Sequence, residues 1–309
     1  MSRVFTSARC QLHAPPYFPE RPARLTAALE GAAGAGWEIE ECESHPGARA
    51  AVLALHSPAY VERFERAAAR GDGLLDSADN PLDGGTWDAS WAAVSCALAA
   101  ADWLMAAADR KAFAAVRPPG HHAERDMAMG FCFFANAALA ADHLVRVHGC
   151  ERVAVVDFDV HHGNGSQHLF EERADVLYAS VHQAPFYPGT GAADERGRGA
   201  GKGTTVNVPL PAGTGDERLR EAFEAEVLPA LERFAPRALV VSAGFDGWSL
   251  DPVGGWDLSD AAYGWLGSRL AAVAAAHCDG RVLSLLEGGY SLEGLRGLTA
   301  TYLRALAGG

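Results

Sequence analysis

The chain has 309 residues, 49% of them hydrophobic, which is enough to bury a large core. It carries 39 acidic and 26 basic residues, a net charge of −13. Nucleic acid and anionic membranes would repel such a protein, so we expect neither as a partner. A cationic substrate, such as a lysine-rich peptide or a polyamine, would suit this charge, although solubility alone also accounts for it.

The six cysteines are widely scattered and include no Cys-x-x-Cys pair. This pattern argues against both a disulfide scaffold and a thiolate zinc site. The N-terminus lacks the charged-then-apolar pattern of a signal peptide, and the apolar runs are too short or too weak to span a bilayer. We therefore expect a cytoplasmic protein.

Strand-like apolar runs alternate with helix-like stretches along the chain. This alternation predicts an α/β fold, in which helices cover both faces of a central parallel sheet of about eight strands. No linker divides the sequence, so we interpret residues 1–309 as a single domain, with the glycine-rich segment 197–203 as an exposed loop. The predicted strands are Arg3–Thr6, Ala51–Leu55, Ala112–Val116, Val153–Asp157, Val176–Val181, Thr204–Val208, Ala238–Ser242 and Val282–Leu286. The predicted helices are Arg21–Ala33, Pro58–Ala69, Thr86–Ala108, Asn136–His148, Glu217–Phe234, Ser259–His277 and Leu292–Ala307.

Polar side chains collect directly after four of these strands. Because the carboxyl ends of parallel strands share one edge of a sheet, we expect the four segments to form a crevice there. The segments are Arg117–Ala123, Asp157–Gly165, Ser242–Asp246 and Glu287–Tyr290.

Asp159 and His161 are candidates for binding a metal ion. They lie two residues apart, so on an extended segment they face the same side, and Asp246 on another strand end can complete a triad. Carboxylate and neutral imidazole suit zinc or ferrous iron, and three protein ligands leave a position open for water. The alternative is a helix cap followed by turn residues. The neighbouring polar segments favour the metal.

His121 and His122 are the candidate proton carriers. Each imidazole needs an orienting acceptor, and Asp157 and Asn164 can supply one apiece, so the two histidines should differ in basicity. Tyr290 follows two glycines, and its phenol can donate a hydrogen bond to a developing oxyanion. Together these residues predict hydrolytic chemistry.

Several motifs together resemble the histone deacetylase family, most closely its bacterial class II-like amidohydrolases. They occur in the family's order over nearly the whole chain. The resemblance implies an arginase/deacetylase α/β fold and zinc-dependent removal of acyl groups, with acetyl expected first, from lysine side chains. The motifs are Arg117–Ala123, Gly130–Phe134, Asp157–Gln167, Pro188–Gly191, Ala243–Asp246 with Asp251-Pro252, and Glu287–Tyr290.

The resemblance also implies a role for each matching residue. His122, paired with Asn164, would act as general base and then as general acid, and His121, paired with Asp157, would be its electrostatic partner. Tyr290 would stabilise the tetrahedral intermediate. The metal ligands would be Asp159, His161 and Asp246.

A structural potassium ion and a narrow acyl-lysine tunnel are further implications of the resemblance. Phe131 and Tyr187 would form the tunnel walls beside Gly130, with Arg24 near the inner end, where acetate collects. Asp79 is the candidate for gripping the substrate backbone at the rim. The potassium ligands, largely backbone oxygens, would be Asp157, Asp159, His161, Ser180 and Val181.

The substrate stays open between an acylated lysine in a peptide or protein and an acetylated polyamine. A polyamine calls for an acidic residue near the tunnel mouth. Val253, seven residues after Asp246, is apolar and disfavours this reading, whereas Glu124 and Asp126 keep it open. An acyl-lysine binding protein without turnover is the third reading, disfavoured by the retained catalytic residues. The acyl preference is also open, and Trp248 beside the metal site could alter it. Assembly into a homo-oligomer is open as well.

Overall fold

Eight parallel strands form one sheet in the computed structural model of the chain, which describes residues 1–308. With a separate pair, β3 and β4, these residues contain ten strands. They are β1 (Ser2–Thr6), β2 (Glu38–Glu41), β3 (Leu74–Leu75), β4 (Ser77–Pro81), β5 (Lys111–Ala114), β6 (Val153–Asp157), β7 (Val176–Gln183), β8 (Thr205–Leu210), β9 (Ala238–Ala243) and β10 (Val282–Leu286). Across the sheet their order is β2-β1-β5-β10-β9-β6-β7-β8, while β3 and β4 form a separate antiparallel pair. Strands β5, β10, β9 and β6 are therefore consecutive neighbours at the centre.

Helices cover both faces of the sheet, and the central strands are consequently buried at every position. The helices are α1 (Ala23–Gly34), α2 (Ala48–Leu55), α3 (Pro58–Arg70), α4 (Thr86–Met105), α5 (Asn136–Arg146), α6 (Asn164–Phe170), α7 (Asp216–Ala222), α8 (Leu228–Phe234), α9 (Asp260–His277) and α10 (Leu292–Ala307). Helices α2, α4 and α5 pack together, and α1, α9 and α10 form a second group. The predicted α/β architecture is confirmed. Within residues 1–308, no helix is long and apolar enough to cross a membrane.

One predicted strand is wrong. Ala51–Leu55 belongs to helix α2, whose buried residues recur at helical spacing. The missing edge strand is β2, Glu38–Glu41, which is mostly exposed and carries glutamates at three of its four positions, with Ile39 half-exposed between them. Because a single isoleucine among glutamates gives no repeat of apolar positions, its sequence shows no alternation to detect. Ion pairs from Arg3 on β1 to Glu38 and Glu40 hold it at the edge.

Two other segments differ in detail from the prediction. The predicted helix Glu217–Phe234 is divided by a π-helical turn at Phe223–Val227 between α7 and α8. Pro229 in the first turn of α8 has no N–H to donate to the preceding turn, which explains the irregularity there. The predicted loop 197–203 is exposed over most of its length, but it contains a 3-10 turn and buries Gly201.

Candidate active site

The predicted polar segments follow strands that are neighbours in the sheet, so their side chains meet at its carboxyl edge. Asp157, the last residue of β6, lies in register with Ser242 on β9 and Ser180 on β7. Asp246 follows β9 and Tyr290 follows β10, while the histidine pair comes from the loop after β5. Parallel topology thus assembles the site from residues that are far apart in sequence.

Asp159, His161 and Asp246 form a buried cluster whose candidate ligand atoms all lie within 4.8 Å of one another. His161 Nδ1 lies 3.0 Å from Asp159 Oδ1 and 3.2 Å from Asp246 Oδ2. Asp246 Oδ1 accepts a hydrogen bond from the Val160 N–H, but Oδ2 has no hydrogen-bond partner among the described residues. A buried, unpaired carboxylate oxygen costs free energy, which a bound cation would remove. The donors therefore fit a divalent metal ion with three protein ligands.

The two carboxylates of this cluster have opposite pKa shifts. Burial raises the pKa of Asp246, and the nearby Asp159 carboxylate raises it further. Burial also acts to raise the pKa of Asp159, but the charges of His121 and His161 outweigh it and leave the pKa lowered. A cation between the carboxylates would favour the ionised form of both.

His121 and His122 lie side by side, with ring centroids 4.0 Å apart and different hydrogen-bond partners. His121 Nδ1 lies 3.1 Å from Asp157 Oδ2, and His122 Nδ1 lies 2.8 Å from Asn164 Oδ1. Burial acts to lower the pKa of His121, but the Asp157 and Asp159 carboxylates outweigh it and raise the pKa to about 10. Burial lowers the pKa of His122 well below its ordinary value, and His121 adds to this effect. The predicted pairing thus gives one cationic and one neutral imidazole at neutral pH.

Asn164 is held by both sides of its amide. Its Oδ1 accepts from His122, and its Nδ2 donates to Glu124 Oε1 at 2.6 Å. The same Glu124 oxygen lies 2.8 Å from Nδ1 of the half-exposed His168. Glu124, a candidate for the tunnel mouth, therefore orients the amide that orients His122.

Glu287 is a buried residue of the site to which the sequence assigned no role. Its Oε2 accepts hydrogen bonds from the backbone N–H groups of Gly120 and His121, and its Oε1 accepts from the Ser242 hydroxyl. Burial raises the pKa of Glu287 to about 7. Its position at a strand end beside Gly288-Gly289 is the signal that could have identified it, because an acid there must find buried donors.

Tyr290 is 7% exposed and packs between two other predicted residues. The Arg24 guanidinium lies 4.7 Å from the centroid of its ring, and the Phe131 ring lies 6.1 Å away. Its backbone N–H donates to Asp251 Oδ2 at 2.6 Å, an anchor not identified from the sequence. Burial raises the pKa of Tyr290 well above its ordinary value, so the phenol keeps its proton.

Tyr187 and Asp79 form a hydrogen-bonded rim over the histidines. The Tyr187 ring lies 5.1 Å from that of His122, and its hydroxyl donates to Asp79 Oδ2 at 2.8 Å. The same carboxylate accepts the Gly130 N–H at 3.1 Å. Phe186, which the sequence did not indicate, stacks on His161 with ring centroids 5.0 Å apart. Aromatic side chains thus line the approach to the buried cluster.

Arg24 is completely buried beneath Tyr290. Its Nε donates to the Gly289 carbonyl at 2.6 Å, and its Nη1 lies 3.0 Å from Glu20 Oε1. Glu20 also pairs with the buried Arg117, so one carboxylate is shared by two guanidinium groups. This buried group carries a net positive charge, which suits the neighbourhood of an anion at the inner end of a tunnel.

Three of the predicted potassium ligands lie on two adjacent strands, β6 and β7. Asp157 and Ser180 are partners in adjacent strands, and Val181 follows on β7. Asp157 Oδ1 accepts the Asp159 N–H at 3.2 Å, and its Oδ2 is 3.1 Å from the Tyr178 hydroxyl. Buried backbone and carboxylate oxygens are the donors that a hard cation requires.

Trp248 lies beside the beginnings of α9 and α10. Its indole N–H donates to Asp260 Oδ1 at 3.0 Å, at the beginning of α9. Gly294 on α10 leaves space for the indole ring, because a Cβ there would collide with it. Trp248 therefore packs against these two helices.

Comparison with known proteins gives one family. The sequence signature of the histone deacetylase domain matches residues 18–306. The histone deacetylase-like amidohydrolase of Pseudomonas aeruginosa is 39% identical over 274 residues, which cover 88% of this chain and 72% of that protein. The chain spans only 62% and 44% of the lengths of two chloroplastic plant histone deacetylases that it also matches.

Solved structures with the same fold agree with this result. The crystal structure of the HDA15 HD domain superposes with a TM-score of 0.91 at 33% identity, covering 99% of this chain and 89% of that one. The acetylpolyamine aminohydrolase from Burkholderia pseudomallei superposes with a TM-score of 0.88 at 32% identity, covering 98% of both chains.

Proposed function

Since this chain belongs to the histone deacetylase family, we propose that it is a metal-dependent amidohydrolase that removes acyl groups from lysine side chains, with acetyl as the expected acyl group. The observation that carries the proposal is the position of the Asp-His-Asp cluster beside two histidines of opposite basicity and a buried tyrosine. Zinc is the proposed metal, and ferrous iron suits the same donors.

A cation bound by Asp159, His161 and Asp246 would polarise the amide carbonyl and lower the pKa of its water ligand to about 7. His122 donates its Nδ1–H to Asn164, which leaves Nε2 as the nitrogen that can accept a proton from the attacking water. Since burial lowers the pKa of His122, Nε2 is unprotonated at neutral pH and ready for this role.

The developing negative charge on the substrate oxygen needs hydrogen-bond donors. Tyr290 keeps its proton at neutral pH and can donate it in a hydrogen bond as the charge grows. The cationic His121 adds electrostatic stabilisation next to His122. His122 then returns its proton to the departing amine, which leaves as a neutral group.

A structural potassium ion is the second proposed cofactor. Asp157, Asp159, His161, Ser180 and Val181 would supply mainly backbone oxygens, and the register of β6 with β7 brings these segments together. Such an ion would fix the loop that carries Asp159 and His161. It takes no part in the chemical step.

An acylated lysine in a peptide is the first proposed substrate, because the aromatic approach formed by Phe131, Phe186 and Tyr187 suits an apolar four-carbon chain. An acetylated polyamine is the second, favoured by the likeness to the acetylpolyamine aminohydrolase. Glu124, the acidic residue that a polyamine could use, bonds to Asn164 and His168 through one oxygen, Oε1.

A substrate panel tests the proposal. Zinc-loaded protein is assayed with acetyl-, trifluoroacetyl- and longer acyl-lysine peptides beside acetylputrescine and acetylspermidine. We expect turnover of acetyl-lysine that chelation abolishes and zinc restores, together with tight binding of hydroxamates, which chelate the metal. Preference for an acetylpolyamine would establish the second substrate class, and failure to hydrolyse any of them with metal bound would leave an acyl-lysine binding protein.

A further inference from the structure

A second cluster of metal-binding side chains lies away from the proposed active site. Asp102 is in the last turn of α4, which leads into the start of β5, so it lies toward the amino edge of the sheet. His143 is on α5, and His148 lies between α5 and β6. His45 precedes α2. Three separate stretches of chain therefore meet at the Asp102 carboxylate.

The three imidazoles converge on Asp102. His143 Nε2 and His148 Nε2 each lie 2.7 Å from Asp102 Oδ1, and His45 Nε2 lies 2.9 Å from Oδ2. The donor atoms of His45, Asp102 and His143 are all within 4.8 Å of one another. The His143 ring is tilted by 88° to His45 and by 74° to His148, so the rings approach from different directions.

We propose that this cluster, Asp102 with His45, His143 and His148, binds a divalent cation of the zinc class at a site separate from the active site. One carboxylate oxygen and imidazole nitrogens are the donors of tetrahedral zinc, with bonds of about 2.1 Å. An ion between them would replace the hydrogen bonds to Asp102 and join α4, α5 and the segments before α2 and β6. Its role is structural, because no catalytic residue of the proposed active site belongs to the cluster.

Burial and charge at the cluster favour an ion. The side chains of His143 and His45 are 6% and 13% exposed, which fixes their rings, whereas that of Asp102 is 43% exposed and leaves a path from solvent. The three imidazole nitrogens lie around one carboxylate, so the cluster offers both kinds of donor that a divalent cation of this class takes.

His45 differs from the other two donors. Its Nδ1 accepts the Gly47 N–H at 3.1 Å, so the neutral ring carries its proton on Nε2, facing Asp102. Binding an ion at Nε2 would move that proton to Nδ1 and break the bond to Gly47. We therefore expect His45 to be the weakest of the donors, so that His45→Ala weakens binding less than His143→Ala.

The test is a metal count on the holoenzyme. Protein carrying its catalytic metal is titrated with ZnCl2 by calorimetry and with CoCl2 by absorption, since tetrahedral cobalt gives intense visible bands. We expect wild type to bind one further equivalent and to melt at a higher temperature with zinc. Asp102→Asn keeps the side-chain shape and removes the charge, and it should lose both effects while its acetyl-lysine turnover is unchanged. His277→Ala, on α9 and outside both clusters, is the matched control and should behave as wild type.

Two variants keep the proposal open to refutation. His143→Ala should lose the added equivalent even if its buried position lowers the melting temperature. Far-UV circular dichroism gives the folded fraction of this variant, and elemental analysis gives its metal content, so loss of the metal is distinguished from loss of the fold. The proposal is overturned if wild type takes up no further equivalent. It is equally overturned if Asp102→Asn and His143→Ala take up as much zinc as wild type.

Discussion

His122 Nδ1 lies 2.8 Å from the amide oxygen of Asn164, whereas its neighbour His121 hydrogen-bonds to a carboxylate, that of Asp157. A neutral acceptor orients an imidazole without stabilising its charged form, while an anionic acceptor does both. This difference separates a general base from a permanently cationic neighbour. It is the basis of the predictions for His122 and Asn164.

His122→Ala should lower kcat with the acetyl-lysine substrate by about 10²-fold or more, because it removes the nitrogen that accepts the proton from water. The measurement is steady-state kinetics at saturating zinc. Retention of the wild-type melting temperature would show that the loss is chemical. A wild-type rate in this variant would remove the role assigned to His122.

Tyr290→Phe should lower kcat by a similar factor of about 10², since it deletes a hydrogen bond that strengthens as the oxyanion forms. The ring and its contacts with Arg24 and Phe131 remain, so KM should change much less than kcat. A proportional rise in KM with unchanged kcat would instead assign Tyr290 to substrate binding.

Asn164→Asp should move the acidic limb of the pH–rate profile to higher pH by about one unit. An aspartate beside Nδ1 stabilises the imidazolium form of His122 and so raises its pKa, which leaves less unprotonated base at a given acidic pH. The profile of kcat/KM between pH 5 and pH 9 measures this shift. Glu124→Gln is a milder control, because its charge acts on His122 only through the amide. An unchanged limb in Asn164→Asp would mean that another group controls it.

Glu287→Gln should slow the reaction while leaving metal content intact, because Glu287 holds the backbone of the histidine loop and touches no proposed ligand side chain. A glutamine keeps one acceptor oxygen for the two loop N–H groups, but its NH2 group can only donate to Ser242, so that bond is reversed and the carboxylate charge is removed. We expect a loss of about 10-fold in kcat, the scale of a mispositioned catalytic group. Loss of zinc by elemental analysis would contradict this positioning role.

His56 predicts an acid-dependent loss of stability. Its Nδ1 lies 2.9 Å from the Glu124 carbonyl, and its Nε2 accepts the Ala135 N–H, a pattern that only the neutral ring can satisfy. Burial lowers the pKa of His56 to about 4, against about 6.5 in the unfolded chain. Its contribution is therefore fully present above pH 6.5 and falls as the pH drops toward 4, by at most about 3 kcal/mol.

Urea unfolding of the wild type and of His56→Gln between pH 7.5 and 4.5 measures this effect. We expect the variant to be less stable at pH 7.5, since it loses buried contacts, but to lose less free energy of unfolding on acidification. His162 and His182, whose pKa values burial also lowers, remain in both proteins and cancel in the comparison. Parallel curves would show that His56 does not carry the pH dependence.

The sequence alone predicted the α/β class and the residues that meet at the carboxyl edge of the sheet. Strands such as Val153–Asp157 are buried on both faces, so they appear in the sequence as continuous apolar runs. Polar residues at the ends of these runs are therefore easy to identify as candidates for a site. Parallel connectivity then places Asp159 near Asp246 without any knowledge of coordinates. The exposed strand Glu38–Glu41 was not predicted, because its residues bury little apolar surface and form a strand only through pairing with β1.

What only the tertiary structure decided is which polar groups are paired and which are not. The roles of Glu287 and Glu124 depend on donors brought from other loops, and the unpaired Oδ2 of Asp246 is apparent only once its surroundings are known. The meeting of His45, Asp102 and His143 has no sequence signature, because three separate segments bring them together. Local pattern reports burial along one segment, whereas hydrogen-bond satisfaction and metal geometry depend on how distant segments pack.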